Sequence, residues 1–164
     1  MAGIVSYGAY IPYHRLSRRT IAEAFGEGGG TGEKAVANYD EDSVSMAVHA
    51  GLDALTGLTT AQLAAVYLAT TTAPYAEKLA ATTVAAALDC PAALRTADFT
   101  DTLRAGTTAL LAGLETAAQR GPVLVCAADC RIGGAQGSFE KELGDAAAAF
   151  VLGESWPWAL SASS

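Results

Sequence analysis

The stretch RAGTTALLAGLETAAQR, residues 104–120, narrows the choice of fold more than any other part of this chain. It reads as a helix, yet Ala105, Gly106, Ala109, Leu110, Leu111, Ala112, Gly113, Leu114, Ala117 and Ala118 leave almost no polar face before its C-terminal turn. A helix that is apolar all round is expected to be buried all round. Gly106 and Gly113 fall on one side, where the missing side chains let another backbone come close. Such a helix is either sandwiched inside its own domain or packed against a second sheet or a partner, and we take the second reading. Hydrophobic residues make up 51% of the 164 and charged ones only 16%, more buried surface than a lone domain needs.

The surrounding pattern alternates strand and helix. GIVSYGAYIP (3–12) reads as an opening strand, and Ser17 as the N-cap of a short helix through Phe25. GEGGGTGE (26–33) is read as a flexible loop, because clustered glycines lose too much backbone freedom to hold regular structure. It has neither a Walker spacing nor a strand leading directly into it, so it is not taken as a phosphate cradle. Residues 38–57 read as a helix with carboxylates at its start and Gly57 as its stop, Met46, Ala50 and Ala54 stepping along one face. Strands are expected at 64–70, 93–99, 122–129 and 145–153, and a further helix at 77–88. PVLVCAAD (122–129) is the continuous apolar run of a central strand. The alternation predicts a layered α/β domain with right-handed crossovers.

Charge and cysteine usage exclude several functions. A net charge of -7 offers phosphate backbones no basic face, so nucleic acid is not an expected partner. No apolar run is long enough to span a bilayer. Cys90, Cys126 and Cys130 form no disulfide framework, and the N-terminus lacks a basic region followed by an apolar one, which fits a reducing cytoplasm. No Cys or His completes a zinc set with Cys126 and Cys130, so no metal is expected. Cys90 reads as a small packing residue, and Thr82 with Thr83 as a sign of tight helix packing. His14 and His49 stand alone and read as structural or surface residues. Trp156 and Trp158, in a tail spanning 154–164, either dock on a partner or fold back on the domain.

Five segments, in this order, resemble the N-terminal half of the thiolase superfamily: GIVSYGAYIPYHRL, GEKAVANYDEDSVSMAVHAG, AAVYLATTTAPYAEK, TADFTDTLRAGTTALLAG and GDAAAAFVLG. They span most of residues 3–153, and the likeness is nearest to hydroxymethylglutaryl-CoA synthases and ketoacyl synthase III-like proteins. The resemblance implies a thiolase-like half-domain over 1–153: a mixed five-stranded sheet with helices on both faces, and the 104–120 helix at the middle of a five-layer molecule.

The departures from that family bear on chemistry. Its nucleophilic cysteine sits at the N-terminus of the central helix, where the backbone dipole favours a thiolate that takes an acyl group from CoA. Matching DFTDTLRAGT to the motif puts Leu103 on that position, and an aliphatic side chain forms no thioester. In the hydroxymethylglutaryl synthases a glutamate after the second strand serves as general acid/base; matching ATTTAPY puts Thr71 there, and a hydroxyl is no proton carrier at neutral pH. The family's catalytic histidine belongs to a second half that these residues do not include.

The resemblance therefore implies a non-catalytic subunit or pseudoenzyme that pairs with itself or with a thiolase-like partner chain. Acyl-CoA or an acyl-carrier-linked group is the ligand class, no other cofactor is implied, and an OB-fold or zinc-ribbon protein is a further partner class, as some relatives carry such modules. Two alternatives stay open. One is a cysteine-independent carbon–carbon lyase or aldolase with Asp101 as base, against which Asp101 or Thr102 simply caps the helix. The other is the N-terminal piece of a longer acyltransferase-like protein.

Overall fold

In the computed structural model, which describes residues 1–27 and 30–154, the chain opens with strand β1 (Gly3–Tyr10). A two-stranded antiparallel sheet follows, β2 (His14–Ser17) against β3 (Glu33–Val36), with helix α1 (Arg18–Ala24) between them. Ser17 caps α1 by accepting from the Arg19 amide at 3.2 Å, as its sequence predicts. The small sheet was not expected. His14 was read as lying in a loop and begins β2 instead.

Helix α2 (Ser43–Ala54) is shorter than the 38–57 expectation, because its true start is a capping box. Asp42 accepts from the Ser45 amide at 2.7 Å while the Ser45 hydroxyl takes the Asp42 amide, so Asp40 and Glu41 lie before the helix. Met46, Ala50 and Ala54 are fully buried on one face, as their spacing predicts. A single 3₁₀ turn (Thr60–Gln62) leads into β4 (Ala65–Ala69), in which all five residues are buried.

Next come α3 (Ala80–Ala87), β5 (Arg95–Phe99), α4 (Ala105–Arg120), β6 (Val123–Asp129), a short α5 (Ser138–Glu142) and β7 (Ala146–Gly153). The five long strands form one mixed sheet in the order β1-β7-β6-β4-β5. β4 is parallel to both β5 and β6, while β7 runs antiparallel to β6 and β1. β6 is thus interior, as its unbroken apolar sequence predicts. One face carries α2 and α3 over Val66, Leu68, Leu124, Cys126 and Val151; the other carries α4 over Ala65, Tyr67, Val123, Val125 and Leu152. Cys90 packs against the first of these clusters.

Helix α3 has no side-chain cap of its own at Leu79. Asp98, on the adjacent strand β5, supplies it: its carboxylate accepts from the Ala80 amide at 2.6 Å and the Ala81 amide at 2.7 Å. We expect Asp98→Ala to cost about 1–2 kcal/mol, read as a lower urea midpoint at unchanged slope.

The 104–120 helix is covered on one face only within this chain. Ala105, Ala109, Gly113 and Ala117, four residues apart, bury one face on the sheet. A Cβ at Gly113 would stand 2.7 Å from Leu152 Cδ1 and 2.8 Å from Val125 Cγ2, so this glycine sets how closely helix and sheet approach. Gly106 has no such neighbour, its nearest being the Ala127 Cβ at 4.0 Å. The opposite face is open, with Leu111 63% exposed. Burial all round is therefore not reached within this chain.

Candidate functional site

Ligands of open α/β sheets bind beyond the carboxyl ends of the strands. Here β4 and β6 end side by side. β4 runs into Thr70, Thr71 and Thr72, and β6 ends at Asp129. Asp129 Oδ1 gathers the turn: it accepts from the hydroxyls of Thr70 (3.1 Å), Thr71 (3.0 Å) and Thr72 (3.2 Å) and from the Thr71 amide (2.7 Å). Thr70 is almost fully buried, and this carboxylate satisfies it. The turn is tied to α2 as well, where the buried Ser43 donates its hydroxyl to the Thr72 carbonyl at 3.0 Å.

A second carboxylate fixes the segment that follows. Asp145, nearly buried, accepts from the amide of Arg131 at 3.0 Å and from that of Ala37 at 2.8 Å, joining the β2–β3 sheet to the chain after β6. Held in this way, the Arg131 guanidinium donates to the Thr71 hydroxyl and lies against the Phe139 ring, 5.5 Å from its centre. The Thr71 hydroxyl thus accepts from Arg131 and gives its hydrogen to Asp129.

These groups border a cavity of about 370 Å³, whose walls include Ala69, Thr71, Leu103, Gly106, Asp129 and Gly144. Leu103, in the turn before α4, is 89% exposed and stands on the same cavity as Thr71. The two positions that the sequence singles out, 32 residues apart, are therefore neighbours across one space. Asp101 lines an adjoining cavity of about 270 Å³ with Thr71, Thr102, Leu103 and Arg131. Its backbone is left-handed at φ 63°, and its carboxylate accepts from the Thr100 hydroxyl at 3.1 Å. Asp101 does not cap α4. Thr102 does the nearer equivalent, its hydroxyl accepting from the Arg104 amide at 3.2 Å.

No cysteine borders this cavity among the described residues. Burial pushes Cys126, inside β6, up to about 12 and Cys90 up to about 11; burial and then the neighbouring carboxylates, Asp145 first, also raise Cys130. All three stay protonated near neutral pH. His14 packs edge-on to Tyr13, and His49 stacks on Tyr10, whose hydroxyl donates to Glu41; neither histidine borders the cavity. The Asn38 amide and then the Tyr10 hydroxyl hold the Glu41 carboxyl below its ordinary range. Among the described residues no group of three His, Cys, Asp or Glu side chains is placed to hold a metal. No helix among them is long and apolar enough to cross a membrane. Trp156, Trp158 and the tail from 155 onward lie outside the described residues, as do Gly28 and Gly29 of the glycine loop.

Asp129 and Arg131 were not singled out from sequence. The one signal was a carboxylate closing an otherwise apolar strand, with an arginine two residues on.

No family model matches the chain. The hydroxymethylglutaryl-CoA synthase of Pyrococcus furiosus is 33% identical to it over 157 residues, covering 93% of this chain and 45% of that protein. The synthase of Caldivirga maquilingensis is 45% identical over 85 residues, 46% of this chain and 24% of that one. The chain thus spans about half, or less, of the length of the relatives it matches. Among solved structures, a hydroxymethylglutaryl-CoA synthase complexed with CoA superimposes on 93% of this chain and 42% of that one, with a TM-score of 0.84 and 22% identity. A 3-oxoacyl-(acyl-carrier-protein) synthase III superimposes on 94% and 50%, with a TM-score of 0.83 and 19% identity.

Proposed function

We propose that this chain, a homologue of the N-terminal half of hydroxymethylglutaryl-CoA synthases with the thiolase-like fold, is a non-catalytic subunit that works only in association with a second thiolase-like half. The observation that carries this reading is Leu103. At the N-terminal turn of α4, on the wall of the cavity, the position that would hold a nucleophile carries an exposed aliphatic side chain, and Thr71 across from it is committed to hydrogen bonds on both sides. Such a cavity binds an acyl thioester of CoA or of an acyl carrier without taking the acyl group over.

The need for a second half rests on the surface beside α4. Ile4 and Tyr7 of β1 stand opposite Leu152 and Phe150 of β7, which pack on the α4 side, so all four point to that side of the sheet. Yet Ile4 is 59% and Tyr7 76% exposed. Leu111, on the open face of α4, is exposed as well, and we take these side chains as the surface that a partner would cover.

The test has two parts. After incubation with acetyl-CoA, intact-mass spectrometry is expected to show no acyl adduct on the chain, and an adduct would overturn the non-catalytic reading. Size-exclusion chromatography with light scattering at low micromolar concentration is expected to show a dimer, or a complex when a thiolase-like chain is supplied. A stable monomer in both conditions would overturn obligate pairing.

A further inference from the structure

We propose that the open face of α4 pairs with the same face of a second copy of this chain, the two helices antiparallel and Arg104 of each facing Glu115 of the other. The inference rests on the reading that the chain works as a pair, and it names a second copy as the other half. The side of α4 away from the sheet carries Arg104, Thr107, Leu111, Glu115 and Ala118, which recur at steps of three and four residues and are all exposed. Ala105, Ala109, Gly113 and Ala117 take the sheet side, so this line runs down the opposite face with Leu111 near its middle. Small side chains beside a leucine let a second helix come close. The charges on the line are a cation at its start, Arg104, and an anion in its C-terminal half, Glu115.

Neither charge is engaged inside the chain: among the described residues Arg104 and Glu115 enter no ion pair. Arg104 is the N-cap of α4 and makes no side-chain cap there, so its cation stands at the positive end of the helix dipole, where it is disfavoured. Two parallel copies would set Arg104 against Arg104. Two antiparallel copies related by a two-fold axis set Arg104 beside the partner's Glu115 twice, close to the negative half of the partner's dipole, and the face is complementary to itself. Thr108 lies four residues after Arg104 and Leu111 four before Glu115, so in that register Leu111 of each copy meets the exposed Thr108 of the other and the two leucines flank the axis. A foreign helix would need this same spacing of charge. A second copy carries it already.

The experiment is light scattering over a dilution series on charge-reversed full chains. Arg104→Glu makes the face acidic throughout and Glu115→Arg makes it basic throughout, so each alone is expected to weaken self-association by roughly tenfold or more. An equimolar mixture of the two is expected to regain wild-type dissociation as a mixed dimer, because each charge then meets its opposite. Both changes suit the dipole of α4 and both side chains are exposed, so urea midpoints should stay near wild type, a built-in control for folding. Single variants that dissociate like the wild type, or a mixture that associates no more tightly than its components, would overturn the self-complementary face while leaving pairing standing. A wild type that is monomeric alone yet joins a supplied thiolase-like chain would overturn this inference and not the pairing. A wild type that is monomeric in both conditions would bring down the two together.

Discussion

Gly8→Val is expected to cost about 3 kcal/mol, the upper end for forcing volume into a packed core. Gly8 lies under α2, and a Cβ there would fall 2.3 Å from the Ala54 nitrogen, 2.5 Å from the Ala50 oxygen and 2.8 Å from the Asp53 carbonyl carbon. All three are backbone atoms of one helix, so no side-chain rotation relieves the clash. The helix must lift off the sheet, and the tie from the Ala9 amide to Asp53 Oδ2 at 2.9 Å goes with it. Urea unfolding followed by circular dichroism reads the effect as a lower midpoint, with Gly8→Ala intermediate. A Val variant within about 0.5 kcal/mol of wild type, the range of an ordinary surface substitution, would mean that β1 and α2 do not pack this way.

The second large effect falls on the proposed association. A charge placed on the open face, Leu111→Asp combined with Tyr7→Asp, is expected to weaken pairing by about 100-fold or more, since apolar anchors near the centre of an interface carry most of its energy. Both side chains are exposed in the single chain, at 63% and 76%, so the same variant should keep its urea midpoint close to wild type. Light scattering over a dilution series measures the first quantity. Unchanged dissociation would place the interface elsewhere; a collapsed midpoint would mean that the face belongs to the chain's own core.

Much of the main sheet was legible from sequence because its signals are local. β4 and β6 announce themselves by unbroken apolar runs, α2 by its four-residue steps, and α4 by alanines and glycine that recur along one line. Leu103 and Thr71 were legible through the order of motifs, and the fold sets both on one cavity. What escaped was non-local or too short to show a period. β2 and β3 have four residues each and are separated by the glycine stretch; part of their support is Asp145, more than a hundred residues away. α5 has five residues, inside a segment that reads as a polar loop. The Arg131–Thr71–Asp129 chain joins two strand ends, and neither end alone looks special. The all-round burial expected of α4 counted apolar residues correctly, but a single chain offers only one surface to bury them on.

The sheet also sets an order in time. β1 precedes the other strands in sequence, yet among the described residues its partner in the sheet is β7, with Gly3 opposite Gly153. A nascent chain therefore carries Ile4 and Tyr7 unpaired until Ala146–Gly153 has been made, while β4 and β6, with β5 and α4 between them in sequence, can already assemble. During that interval β1 is an apolar strand with two free edges, and α2 has no Gly8 groove to rest on. Slower synthesis of the residues between the two strands is thus expected to lengthen the time for which β1 lies uncovered.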